Sequence, residues 1–464
     1  MTTRTKRIII IVAIAQLVLT VGFFALPRVV EALPGRYLVR LQNHPLTSDV
    51  VLRITTPLPS ALPVAESSGT RTFVAADQLP DIPGLPESEP QSAATATLEP
   101  TPTEEIFIAE TATPEVTIAP PTSTPTLAPS PTPTPLPDRV VLDDLITVRQ
   151  GFNNCGPANL TIALNYFGDD TTQEVAASYL KPNEEDRNVS PWQISDYVNE
   201  FTALRSTVHS GGDMIMLKQF IAAGYPVVIE KGYEPSNGTG WYGHYLTVYG
   251  YDENAQEIYS RDTNLGPFDG SPRIDGYEEF NGWWQHFNYT FYVIFPAAEE
   301  STVMDILPDI LEDEVTMWQH TADLAREEIQ QDPENVFTHF NLGVSLTYLG
   351  QLTADATYYS QAADQFDVAR EIGLPPRTLF YEHRPLMAYW KSGRIDDVIE
   401  LTDVVLNTVG GRWVEEIFWY QGHALATQGD LLAARDAYSQ ALEVNSNFYP
   451  AQQSLDWVNS LISS

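Results

Sequence analysis

The chain contains one cysteine, Cys155, set in the run RQGFNNCGPANLTIALNYFG (149–168). Pro157 suits the first turn of a helix, where its missing N–H would be unpaired anyway. Leu160, Ile162, Ala163, Leu164, Tyr166 and Phe167 follow as a mostly apolar helix, and Gly168 ends it. Cys155 is therefore expected at a helix N-terminus, where the positive end of the peptide dipoles favours thiolate over thiol. Thiolate is the nucleophilic form, so the chemistry on offer is attack on a carbonyl carbon. A lone cysteine is otherwise a small buried hydrophobe, and the surrounding sequence has to decide between the two.

The elements that position this residue belong to a chain of 464 residues, enough for two or three domains. Sixty-one acidic against 25 basic residues give a net charge of −36, which argues against a nucleic-acid partner, because phosphate binding needs clustered Lys and Arg. With a single cysteine, no intramolecular disulfide can form, so a disulfide scaffold is excluded.

Five segments are expected. Residues 1–27 comprise a basic tip, with Arg4, Lys6 and Arg7, and the apolar run 8–26. At about 1.5 Å per helical residue, that run nearly spans a ~30 Å hydrocarbon core. The basic tip keeps the N-terminus cytoplasmic and places the remainder outside. A cleavable signal ending near Val30-Glu31-Ala32 is the rival expectation, and it leaves the rest of the chain secreted. Residues 28–75 form a juxtamembrane segment, with RYLVRLQ and DVVLRI as candidate strands. Residues 76–138 are rich in Pro, Thr, Ser, Ala and Glu, ending in PTSTPTLAPSPTPTPLPD, and read as a disordered stalk or plain linker. Residues 139–297 are aromatic-rich and globular. Residues 300–464 have helical periodicity with small residues at Gly343, Gly350, Gly422, Ala424, Gly429, Ala433 and Ala434.

The block Gln150…Asn154-Cys155-Gly156-Pro157-Ala158 resembles the bacteriocin-processing (double-glycine leader) peptidases of the papain-like clan. The likeness extends through Ser190-Pro191-Trp192-Gln193, which looks like the family's second helix, and LKQFIAAGYPVVI (217–229). It continues through Gly243-His244-Tyr245, Asp262 and the closing Phe280, Trp283 and Trp284. The resemblance implies an α+β papain-like fold and assigns roles. Cys155 would be the nucleophile and His244 its base; Asp262 would orient the imidazole, and Gln150 would donate to the oxyanion. The 18-residue step from His244 to Asp262 fits adjacent strands joined by a turn at Asp252, Glu253 and Asn254. Two departures stand out. Gln150 precedes Cys155 by five positions where six is commoner, and Thr263 replaces a frequent proline, which leaves Asn264 as a second candidate to orient His244. His209 and His286 are alternative bases without the Gly-His-aromatic strand context. The segment 300–464 resembles tetratricopeptide repeats, with units at 336–373, 377–409 and around FWYQGHALATQGDLLAARDAYSQALEVN, capped by a helix at 447–462.

These expectations describe a membrane-anchored thiol peptidase acting outside the cytoplasm on a peptide or amide bond, with the helical repeats receiving a protein partner. The alternative is an inactive peptide-binding module on the same scaffold. No metal cluster or dinucleotide fingerprint suggests a cofactor. There is no G-x-x-x-x-G-K-[ST] loop of the kind expected where a leader peptidase is fused to a transporter.

Overall fold

The structure is a computed structural model. It describes residues 135–464 apart from 236–238 and 409, together with 59–65, 73–83 and single positions before residue 42. In chain order the first part comprises β1 (Arg139–Val141), α1 (Cys155–Tyr166), α2 (Gln173–Leu180), α3 (Pro191–Phe201), β2 (Leu204–His209), α4 (Met214–Ala222), β3 (Val227–Tyr233), β4 (Tyr242–Asp252), β5 (Glu257–Arg261), β6 (Arg273–Gly276), α5 (Tyr277–Gln285) and β7 (Phe291–Pro296). The strands form one antiparallel sheet in the order β2-β7-β3-β4-β5-β6, with β1 also pairing β4.

Strand β4 is central and covered on both faces, as its run of aromatic and apolar residues requires. Leu246 and Val248 enter a core with Phe220 and Trp284, while Tyr245 enters another with Leu160 and Ile194. The β4–β5 hairpin closes where Asp252 Oδ1 accepts the amides of Asn254 at 3.1 Å and Ala255 at 3.0 Å. This is an Asx-turn, in which a short side chain stands in for a backbone acceptor. Helix α1 is apolar on all sides and accordingly buried, from Gly156 through Leu164. Helix α3 begins with Pro191, and the Ser190 amide donates to Gln193 Oε1 at 2.8 Å. It is the third helix of the domain, because Gln173–Leu180 precedes it.

The second part is helical: α6 (Glu300–Met304), α7 (Glu314–Gln331), α8 (Val336–Thr353), α9 (Thr357–Ile372), α10 (Arg384–Lys391), α11 (Ile395–Leu406), α12 (Glu415–Thr427), α13 (Leu431–Val444) and α14 (Tyr449–Ile462). Glycines at helix contacts let successive helices approach. A Cβ on Gly343 would fall 2.6 Å from Phe366, and one on Gly422 would overlap the Tyr438 ring. Tyr389, Trp390 and Trp419 are buried in the helical core. Tyr348 stacks on Trp318, with ring centroids 3.9 Å apart.

The helices do not stand apart from the sheet. Core residues of both parts belong to one continuous hydrophobic cluster. Hydrogen bonds also cross the boundary, including Asn341 Nδ2 to the Gln285 carbonyl at 2.6 Å and His209 Nδ1 to the Leu311 carbonyl at 2.9 Å.

The N-terminal expectations fare differently. Of the apolar run 8–26 only Gln16 and Leu26 are described, both helical, so the expected anchor lies outside the described residues. Among the described residues no helix is long and apolar enough to cross a membrane. In RYLVRLQ the described Tyr37, Leu38 and Leu41 are helical rather than extended. Leu38 and Leu41, three apart, pack with Val30, a helical spacing that outweighs β-branched propensity. DVVLRI lies outside the described residues. The first residues of the expected stalk, 76–83, are described. The segment 73–83 runs along the helical part, with Val74 N donating to the Gly393 carbonyl at 2.9 Å and Ile82 buried. Residues 84–134 lie outside the described residues.

Candidate active site

Cys155 is the first residue of α1, half-buried, and its approach loop is pinned from α2. Gln173 Oε1 accepts from Gly151 N at 2.8 Å and Asn154 Nδ2 at 3.1 Å, and Gln173 Nε2 donates to the Arg149 carbonyl at 2.9 Å. Lys181, only 3% exposed, reaches the carbonyls of Asn153 at 3.3 Å and Asp186 at 3.0 Å. Burial pulls its ammonium below the ordinary lysine range, against the charges of Asp186 and Cys155.

The base region lies on β4 and just beyond β5. His244 Nε2 is 2.9 Å from Asp262 Oδ1. Asp262 Oδ1 also accepts the amides of Asn264 at 2.9 Å and Leu265 at 2.8 Å, and its Oδ2 accepts Arg273 Nη1 at 3.1 Å. Arg273 is itself held by Asp275 through two 2.7 Å hydrogen bonds. Burial opposes charge on His244, but the charge and hydrogen bond of Asp262, with a side-chain hydrogen bond to Cys155, raise the imidazole to about 9. Burial also opposes charge on Asp262. The His244 charge and hydrogen bond, with the Leu265 and Asn264 amides, outweigh it and hold this carboxyl well below the ordinary range. Both shifts favour an imidazolium–carboxylate pair. With Nε2 engaged by Asp262, Nδ1 is the ring nitrogen left to meet the thiol.

Gln150 is tied to the same region. Its amide donates to the Thr263 carbonyl at 2.8 Å, and its Oε1 accepts the Thr263 hydroxyl at 2.8 Å. Since the carboxamide oxygen is occupied, the amide end of the side chain is the end left to donate. Thr263, the departure from proline, therefore has a definite task.

Asn264 does not contact His244. Its Nδ2 donates to Tyr233 Oη at 3.2 Å, and its backbone supports Asp262. His209 is buried between Thr207 and Leu311, and burial lowers it to about 4. His286 accepts from Trp241 Nε1 at 2.9 Å and stacks on Phe337, and burial followed by the Lys231 charge lowers it to about 3.

Asn159 has a positioning role that the sequence alone did not suggest. It is fully buried, with Nδ2 at 2.9 Å from the Cys155 carbonyl, 3.1 Å from the Tyr245 carbonyl and 3.3 Å from Thr263 Oγ1. Its Oδ1 accepts the Thr247 hydroxyl at 2.8 Å. One side chain thus joins the helix of Cys155, the strand of His244 and the residue after Asp262. The available signal was a polar residue one turn along an otherwise apolar helix. Gln173 had no local signal, because its partners lie about twenty residues earlier in the chain.

Residues 142–291 match the family model described as Peptidase_C39 like family. This stretch is a C39-like peptidase domain. A solved structure described as a C39-like peptidase from Bacillus anthracis aligns with 34% of this chain and 96% of its own length, at 18% identity and a TM-score of 0.28. A comparison with curated proteins gives no match. The family match carries the peptidase half of the sequence reading. It stops at residue 291, and the helices beyond the C39-like domain are not assigned to tetratricopeptide repeats.

Proposed function

We propose that the C39-like domain is a thiol peptidase in which Cys155 attacks the carbonyl carbon of a peptide or related amide bond. His244 takes the thiol proton, holds it as imidazolium and returns it to the leaving amine. Asp262 fixes the tautomer and offsets the positive charge, and the Gln150 side-chain amide, with the Cys155 backbone N–H, stabilises the oxyanion. Water then hydrolyses the thioester, with His244 acting as base. The observation that carries this reading is His244, buried and held at 2.9 Å by Asp262, with its other ring nitrogen left for Cys155 at the start of α1.

The apolar run 8–26 anchors the chain in a membrane, with the peptidase and helices outside the cytoplasm and the Pro/Thr-rich stretch as a spacer. The basic tip of residues 4–7 and the length of the run support this placement. The helices after residue 300 belong to the tetratricopeptide class and hold a protein partner, a reading supported by the glycine-mediated hairpin packing at Gly343 and Gly422.

The test is a profile of proteins cleaved in the presence of the native chain, compared with Cys155→Ala. Cleavage products that depend on Cys155 and vanish in His244→Ala support the reading. Identical profiles from the native chain and Cys155→Ala overturn it.

A further inference from the structure

Between the C39-like domain and the helices lies a cavity of about 240 Å³ that does not include Cys155 or His244. Four carboxylates stand in its largely aromatic and apolar wall: Glu230 on β3, Glu382 just before α10, Glu416 on α12 and Glu314 at the start of α7. Glu230 is 5% exposed, and its Oε1 has no hydrogen-bond partner. His383 Nε2, also in the wall, has none either, with Glu416 Oε2 at 3.8 Å. One cation lines the cavity, Arg384, which donates to Tyr348 Oη at 2.7 Å, stacks over its ring at 4.1 Å and lies 3.9 Å from Glu382 Oε1, which also accepts the Arg384 amide at 2.9 Å.

A buried carboxyl oxygen with no partner costs about 1–3 kcal/mol, more when charged, so its surroundings either keep it protonated or reserve it for a cation. Burial, then the charges of Glu382 and Cys155, push Glu230 well above the ordinary carboxyl range, and burial with Glu415 and Asp186 does the same to Glu416.

The cavity opens into a wider groove of about 600 Å³, with which it shares Trp192, Glu314, Tyr348, Arg384, Phe448 and Pro450. Exposed aromatic rings flank this groove, Trp192 at 43% and Tyr449 at 66% exposed, and Asp196 and Glu200 lie along it. A groove of this volume with aromatic flanks suits an extended chain rather than a small free amine. The pocket is also close to the thiol site. Glu230 pairs across the sheet with Tyr245, the residue after His244, and its carboxyl responds to the charge of Cys155.

We propose that this cavity recognises the lysine or arginine side chain of a peptide whose backbone lies in the outer groove, with Glu230, Glu382 and Glu416 receiving the charge. The substrate class of the Cys155 site is then peptides bearing a basic residue near the cleaved bond. That last step rests on the peptidase reading, whereas binding itself does not. Docking of the helices against the sheet completes the pocket, because Glu382 and Glu416 come from the helical part and Glu230 from the sheet.

The experiment uses the full chain carrying Cys155→Ala, so that nothing is cleaved. Calorimetric titration compares Ac-Ala-Ala-Lys-Ala-Ala-amide with the same peptide containing norleucine. The lysine peptide is expected to bind at least about tenfold more tightly, as a site with reserved carboxyls should discriminate. Glu230→Gln on the same background should bring the two affinities to within about threefold. Glu382→Gln, at a half-buried position, provides the same readout if Glu230→Gln fails to fold by circular dichroism. Equal affinities for the two peptides in the Cys155→Ala chain overturn the inference, as does a lysine preference that survives both substitutions. An intact lysine preference with an unreactive Cys155 sinks the peptidase reading alone, and a reactive Cys155 without the preference sinks the pocket alone.

Discussion

Replacing Asp262 with Asn removes the charge that keeps His244 protonated while preserving side-chain shape. The raised value of about 9, against the ordinary 6.5, is worth roughly 3 kcal/mol in favour of the imidazolium at about 1.4 kcal/mol per unit. Burial is the largest opposing influence on His244. The same fold shows what burial does to an imidazole without a carboxylate partner, since His209 falls to about 4 and His286 to about 3. In Asp262→Asn, His244 should therefore drop below 6.5 by several units. At pH 7 its protonated fraction falls by about a thousandfold or more. The cationic partner of a Cys155 thiolate goes with it. Because Cys155 is the single cysteine, iodoacetamide alkylation measured by intact mass reports this site alone. The native chain should react roughly ten- to hundredfold faster than Asp262→Asn at pH 6–7. The difference should close as pH rises through about 9, where the native imidazolium loses its own proton. Superimposable pH–rate profiles for the two proteins would refute the imidazolium–thiolate reasoning.

Three further outcomes are expected. The folded-state value of His244 is raised, so its contribution to stability is complete below pH 6.5 and is lost as pH rises through about 9. The urea midpoint of the native chain relative to His244→Ala should narrow across that window, and a constant gap would contradict it. Asn159→Leu orphans the Thr247 hydroxyl and the Tyr245 carbonyl in the core, so denaturant titration should show a loss of about 2–4 kcal/mol, larger than most surface changes produce. Thr263→Val frees the Gln150 carboxamide from its only side-chain anchor in the described structure. Against the substrate found by cleavage profiling, kcat should fall by about tenfold with KM little altered, whereas equal falls in thermal stability and kcat would indicate a structural role instead.

How much of this was legible in the sequence depended on the range of the interactions. The placement of Cys155 at the start of a buried helix came from Pro157, the apolar run and Gly168, all within one element. The strand of His244 and the turn at Asp252–Asn254 were readable for the same reason, as period, propensity and turn chemistry act over a few residues. The helical hairpins showed themselves through Gly343 and Gly422, whose partners Phe366 and Tyr438 lie on the next helix. Short-range signals also misled. RYLVRLQ has strand-like residues, yet its described positions are helical, because packing of Leu38 and Leu41 against Val30 overrides propensity.

The amino-acid order alone determined the single cysteine, the acidic charge that argues against nucleic acid, and the local elements that carry Cys155, His244 and Asp262. Tertiary structure decided which side chains meet across long stretches of chain. Asn159 joins α1 to β4, and Thr263 turns the Gln150 carboxamide. It also decided that the helices close over the sheet and bring Glu382 and Glu416 to Glu230. The physical reason is that a hydrogen bond between residues a hundred positions apart leaves no periodicity in either neighbourhood. Its partner is chosen only when the two cores pack together, and until then each buried polar group has many equivalent partners.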